Sequence, residues 1–217
     1  MNIFRILGDL SHFFAVSFLI FKLHSHTTSI KGISFTTQVL YLVTYCSRYL
    51  DEIWYRSSLY NTIGKIFWLG SSIYIVLTTR RKLRQNPDID LETIGVEHLT
   101  GPCAALAMFF NYILRPVEIL WTFSIYLEAV AILPQLFLTH KMRKFNNSTS
   151  SDDGGRKVDS AMYYILLMFG YRVLYLANWV NRYFAEEYTD SIAMYGGLVQ
   201  LAFYLSFFCL YFSRSQS

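Results

Sequence analysis

Cysteine, proline and charge are all scarce in this sequence, and each shortage closes off a class of protein. The three cysteines, Cys46, Cys103 and Cys209, lie far apart, each inside an apolar run. They offer neither a disulfide framework nor a metal-ligand spacing, and read as small hydrophobes on helices. Only four prolines occur in a chain that is 53% hydrophobic and 18% aromatic, which excludes a disordered or collagen-like protein. No cleavable leader is visible: Arg5, Asp9 and His12 interrupt the first apolar stretch and no small-residue cleavage site follows, so that stretch is expected to be retained. No nucleophile–base pair and no metal motif appears, which argues against an intramembrane hydrolase. The net charge of +4 would weakly suggest nucleic acid in a soluble protein. Here the basic residues sit between apolar runs, where membrane topology accounts for them. Neither a nucleic-acid partner nor a cofactor is expected.

What the chain has is apolar length. Seven segments reach the dimensions of a bilayer span: about 3–21, 35–49, 59–78, 98–114, 117–138, 161–183 and 192–212. Short polar clusters separate them. The expectation is an all-α integral membrane protein with seven transmembrane helices and the lipid bilayer as its solvent, forming one domain over residues 1–217. Orientation follows from the lysines and arginines. Lys22, Lys31, Arg80 to Arg84, Lys141 to Lys157 and Arg214 fall on one side. Asp51, Glu52, Glu186, Glu187 and Asp190 fall on the other, with Arg56 and Arg115 as its main cations. The basic side is expected to be cytosolic, which puts the N-terminus in the lumen and the C-terminus in the cytosol.

Against this apolar background the ionisable residues inside the spans stand out, because each costs several kcal/mol in hydrocarbon unless it serves a purpose. The stretch VEILWTFSIYLEAVAILPQLF (Val117 to Phe137) carries two glutamates. Glu118, Trp121 and Glu128 fall within an arc of roughly 80° on one helix face, with Glu128 ~15 Å deeper. The sixth span carries Tyr171, Tyr175, Asn178 and Arg182 at i, i+4, i+7 and i+11, with Arg172 and Trp179 beside them. The first contributes Arg5, Asp9 and His12 at i, i+4 and i+7. The second ends in Arg48, Tyr49 and Asp51. Pairing among themselves is one reading of these groups, and it suits Glu128 with Arg172. At the luminal end, three arginines face Asp51 and Glu118, which describes separated positive and negative subsites. Arginine binds carboxylate through a planar, bidentate fork, so a peptide C-terminus is a suitable ligand. His12 adds a group that titrates near neutrality.

At these residues the sequence closely resembles the KDEL receptor family, the ER lumen protein-retaining receptors. The matching blocks are FRILGDLSH (Phe4 to His12), SRYLD (Ser47 to Asp51), SLYN (Ser58 to Asn61), VEILWTFSIYLEAVAILPQLF, and YRVLYLANW (Tyr171 to Trp179) with Arg182. The resemblance implies a SWEET-like bundle of two three-helix repeats joined by a linking helix. It implies a sorting receptor that binds the C-terminal Lys-Asp-Glu-Leu or His-Asp-Glu-Leu signal of escaped ER residents in the acidic Golgi, returns with them through the COPI coat and releases them at neutral pH. By the same resemblance Arg48 takes the peptide's α-carboxylate, with Arg5 and Arg182 near that group and the acidic side chains. Asp51, Glu118 and Trp121 meet the first, basic residue of the signal. Tyr49, Tyr175, Asn178 and Trp179 complete the pocket, His12 is the pH sensor, and Glu128, Tyr171 and Arg172 form an internal switch network.

This chain also departs from the pattern. Ser206 stands where much of the family has an acid, SRSQS ends the chain without the lysine-rich tail of many members, and the loop from Asn146 to Lys157 is longer than usual. A SWEET or PQ-loop solute transporter is the competing reading, supported by Pro134-Gln135; several luminal-end arginines have no use there. Asn146 and Asn147 both satisfy the N-glycosylation pattern, yet the expected topology puts them in the cytosol. Neither is expected to carry a glycan, and an endoglycosidase-sensitive shift in gel mobility would reverse the orientation.

Overall fold

In hydrocarbon a backbone N–H or C=O has no water to bond, so apolar runs fold into helices that satisfy these groups internally. The computed structural model of the chain describes residues 2–24, 32–49, 59–85, 94–148, 152–187 and 189–213, and side chains outside 145–160. The described residues form eight helices: α1 (Ile3–His24), α2 (Phe35–Tyr49), α3 (Leu59–Gln85), α4 (Val96–Phe109), α5 (Pro116–Ala131), α6 (Leu133–Ser148), α7 (Asp152–Glu186) and α8 (Ser191–Ser213). No strand occurs among them. By length and composition α1, α3, the run Pro116–Lys144 and α8 are each apolar enough to cross a bilayer.

Each expected span corresponds to helix, and the differences have local causes. The fifth span is broken in two at Ile132. Pro134 follows one turn after Val130; it lacks an N–H, and its ring crowds the carbonyl four residues back, so the helix restarts at Leu133. The fourth span stops at Phe109 instead of continuing to about 114, because the Asn111 amide donates to the Ala107 and Met108 carbonyls that end the helix. Arg115, which precedes Pro116, is then held extended at φ −119°, ψ 142°. The third span runs on through RRKLR to Gln85; Lys82 and Arg84 in its last turn suit the negative end of the helix dipole. The sixth begins at Asp152, ahead of the expected Ala161.

Polarity is inverted relative to a water-soluble protein. On α1, Ile3, Leu7, Leu10, Phe14 and Phe21 are exposed while His12 is 5% exposed. Elsewhere Gln38, Thr44, Ser124, Glu128, Arg172, Asn178 and Gln200 are buried, and Ile63, Ile66, Phe109, Leu166 and Phe212 point outward. An outer surface this apolar would associate in water and is matched to lipid.

The chain divides into two compact units, Met1–Ile33 with Gln135–Ser217, and Ser34–Pro134, so the changeover falls in the first turn of α6, just after the Ile132 break. In the first unit α1 runs antiparallel to α7, and Ser11 Oγ donates to the Leu167 carbonyl at 2.8 Å. On the other side of α7, Phe169 meets Tyr204 and Phe208 of α8 edge-on. Leu138 and Met142 of α6 pack against Tyr211 of α8, and the Arg143 guanidinium lies 3.9 Å from the centre of the Tyr211 ring while donating to its carbonyl. In the second unit α2 packs against α3, α4 and α5.

Gln135 ties α6 to the chain that follows α1. Its amide, 1% exposed, donates to the Gly32 carbonyl at 2.8 Å and to Thr139 Oγ1 at 3.1 Å. Gly32 has φ 96°, a conformation in which a side chain would be strained. Gln135→Leu keeps the volume but leaves that carbonyl without its donor. A loss of about 1–3 kcal/mol is expected, readable as a lower unfolding temperature in detergent.

Candidate functional site

The site begins at the first residue described. Asn2 caps α1: its side-chain oxygen accepts the Arg5 backbone N–H at 3.0 Å. Its amide nitrogen also donates to Asn181 Oδ1 of α7 at 3.2 Å. One side chain therefore ends α1 and sets it beside the last turns of α7. The consequence is a cavity of about 370 Å³ lined by Arg5, Tyr175, Asn178, Trp179, Arg182 and Glu186. The α7 members recur at i, i+3, i+4, i+7 and i+11, one face of a helix. Two guanidinium groups face the space and a single carboxylate, Glu186, lies among them; its Oε2 is 2.7 Å from Arg182 Nε. Asn178 is 4% exposed and presents an amide that can both donate and accept.

Two glycines set the positions of the aromatic walls. A Cβ on Gly8 of α1 would stand 2.7 Å from Tyr175 Cδ2, and one on Gly197 of α8 would stand 2.9 Å from Trp179 Cζ3. Only a residue without a side chain lets the two rings lie where they do. The Tyr175 hydroxyl donates to Asp9 Oδ1 at 2.5 Å. Its ring lies 4.9 Å from that of Tyr171, which stacks on His12 at 4.5 Å and an interplanar angle of 30°. The Arg172 guanidinium is 5.2 Å from the Tyr171 ring centre. A continuous aromatic column thus runs from the cavity wall down to the buried histidine. It joins the two stripes expected from sequence, Arg5–Asp9–His12 on α1 and Tyr171–Tyr175–Asn178–Arg182 on α7.

In the second unit, Arg48 at the end of α2 reaches α5. Its Nη2 is 2.6 Å from Glu128 Oε2, and its Nε donates to Ser124 Oγ at 3.1 Å. The Ser124 hydroxyl in turn donates to the Trp121 carbonyl at 2.6 Å. Glu128 is buried, and a buried carboxylate needs a cation and donors of this kind to stay charged. The sequence reading groups Glu128 with Tyr171 and Arg172. Within its own unit the carboxylate is held by Arg48, and the other two belong to the first unit. Tyr49 stacks on Tyr45 at 5.9 Å, with Lys65 Nζ 5.6 Å from its ring centre. Glu118 lies in the first turn of α5, where a carboxylate suits the positive end of the helix, and Trp121 follows one turn on; both are half-buried. Asp51 lies outside the described residues. Ser206 sits on the exposed face of α8.

Several contributors escaped sequence reasoning. Glu186 follows Arg182 by one helical turn, and Ser124 precedes Glu128 by one; both spacings were available as signals. Asn2 carries an ordinary cap signature. Gly8 and Gly197 carry none, because only the packed neighbour shows why a side chain is forbidden there.

The fold and the site define an all-helical membrane protein whose described cavity is lined by two arginines and one glutamate. The family model described as ER lumen protein retaining receptor matches residues 29–182. Over 214 residues, 99% of this chain, the sequence is 42% identical to ER lumen protein-retaining receptor 3 of Xenopus laevis, covering 94% of that protein. It is 41% identical to the ER lumen protein-retaining receptor of Drosophila melanogaster and 40% to ER lumen protein-retaining receptor 3 of Mus musculus, covering 95% and 94% of those chains. The chain belongs to the ER lumen protein-retaining receptor family, a family of receptors and not of enzymes.

Gly8→Val tests the seam beneath the cavity. The added side chain drives the Tyr175 ring out of place, at a cost of about 1–3 kcal/mol. The expected outcome is a lower unfolding temperature, with Gly8→Ala intermediate.

Proposed function

We propose that the protein is a sorting receptor for the C-terminal Lys-Asp-Glu-Leu or His-Asp-Glu-Leu type signal of escaped ER luminal proteins. It binds them in the acidic cis-Golgi, returns them to the ER and releases them at neutral pH. The observation that carries this reading is the cavity in which Arg5 and Arg182 meet Tyr175, Asn178 and Trp179. Two fixed guanidinium groups, an amide and aromatic walls suit a peptide end that bears carboxylates and an apolar last residue. Arg48 takes the α-carboxylate, while Arg5 and Arg182 serve that group and the acidic side chains. Asp51, Glu118 and Trp121 meet the basic first residue, and Tyr49 contributes to the pocket. These roles rest on the family resemblance at each residue, as do the retrograde COPI coat as partner, the single seven-span domain and the SWEET-like repeat. The luminal N-terminus rests on the lysine and arginine bias.

His12 supplies the pH dependence in this reading. It is buried against Tyr171, with Arg172 on the same ring. In this reading His12 takes up its proton when the anionic ligand binds. Proton and ligand then bind together, so affinity is highest at low pH and falls as the proton leaves. One linked proton changes affinity by at most about tenfold per pH unit. Glu128, Tyr171 and Arg172 form the network through which the change is transmitted.

The test is titration of the purified receptor with free-acid and C-terminally amidated tetrapeptides between pH 5 and 7.5. The free acid is expected to bind up to about tenfold more tightly per unit of acidification. The amide, and the Arg182→Ala receptor with the free acid, are expected to bind at least about tenfold more weakly, a loss typical of a charge-assisted pair. Indifference to amidation would sink the carboxylate reading, and a flat pH profile would sink the role of His12.

A further inference from the structure

Glu186 is the cavity residue to which the ligand reading assigns no role. A carboxylate in the wall of a site for carboxylates needs a reason. Its Oε2 lies 2.7 Å from Arg182 Nε, one helical turn away, which is the position and distance of a ligand oxygen on that guanidinium. The Glu186 side chain is 51% exposed and that of Arg182 35%, so the pair borders water and can open. Glu186 is also the last residue of α7, and Glu187 beyond it turns into the left-handed region at φ 50°. No further helical turn confines the side chain.

We propose that Glu186 is a built-in competitor for the ligand's carboxylate at Arg182, and that it sets how much negative charge the cavity accepts. The proposal rests on the carboxylate-binding reading of the same site. A bidentate ligand uses the Nε edge of the guanidinium that Glu186 occupies in the empty cavity, so Glu186 has to swing away first. The charges among the lining residues point the same way. Arg5 and Arg182 contribute two positive charges and Glu186 removes one, leaving a single positive charge, the complement of one carboxylate. With Glu186 neutralised, two positive charges remain, the complement of a doubly acidic peptide end. Exposed ion pairs shift an equilibrium by up to about fivefold, which sets the expected size of the effect.

The experiment uses the full-length receptor in detergent at pH 6, with free-acid peptides ending Glu-Leu (two carboxylates) or Gln-Leu (one), and the amidated Glu-Leu peptide. E186Q is expected to tighten the Glu-Leu peptide about two- to fivefold, the Gln-Leu peptide by less, and the amide least. E186A should give the same order, which separates lost charge from lost hydrogen bonding, and E186D should stay near the wild type. Unchanged or weakened binding of both free acids in E186Q and E186A, with unfolding temperatures like the wild type, overturns the competitor role. The carboxylate reading survives that result if the wild type still prefers free acid to amide. If the wild type ignores amidation, both fall together.

Discussion

The arrangement of the first unit depends on how closely α1 approaches α7. Gly8 admits the Tyr175 ring to within what would be Cβ contact, and Ser11 bonds the α7 backbone at Leu167. Asn2 joins the top of the seam to Asn181. Helices in lipid gain little from hydrophobic segregation, since the surroundings are as apolar as the side chains. They associate through close backbone approach and polar contacts instead. Much of the candidate pocket is positioned by that seam, with Trp179 set by Gly197 of α8. Arg5 sits in the capped turn, Tyr175 is wedged at Gly8, and Asn178 and Arg182 follow on the same face.

The buried charges follow from the same solvent. Hydrocarbon gives an ionised group no hydration, so it survives only with partners close at hand. Arg48 and Glu128 meet this condition with an ion pair and a serine hydroxyl, all within one pair of helices. Arg5 and Arg182 meet it differently, because they border a cavity with room for a ligand. The contrast is between a cation already paired inside the bundle and two that border a cavity. It also makes Glu186 intelligible, since a cation at the water boundary tolerates a partner that can leave.

The aromatic column from Trp179 through Tyr175 and Tyr171 to His12 connects the cavity with the buried interior of the first unit. In the proposed function this column is the path from a ligand at Trp179 or Tyr175 to the histidine. Asp9, bonded to the Tyr175 hydroxyl, sits partway along it.

Much of this was legible in the chain alone, for a definite reason. Helices in lipid are specified by apolar length, so the helices could be read one by one, and Phe35–Tyr49 has the bounds expected from sequence. The two polar stripes were also legible, because residues at i, i+4 and i+7 share a face whatever that face meets. The break at Ile132 and the early end of α4 were not anticipated, since they depend on how a proline ring and an asparagine amide settle against particular carbonyls. Nor was the contact of Glu128 with Arg48 anticipated, since the sequence groups Arg48 with the luminal-end residues and matches Glu128 by depth to Arg172. The face a helix presents is a local property of its sequence. What that face touches, and whether a glycine, a carboxylate or an open cavity stands opposite, was decided only when the helices packed.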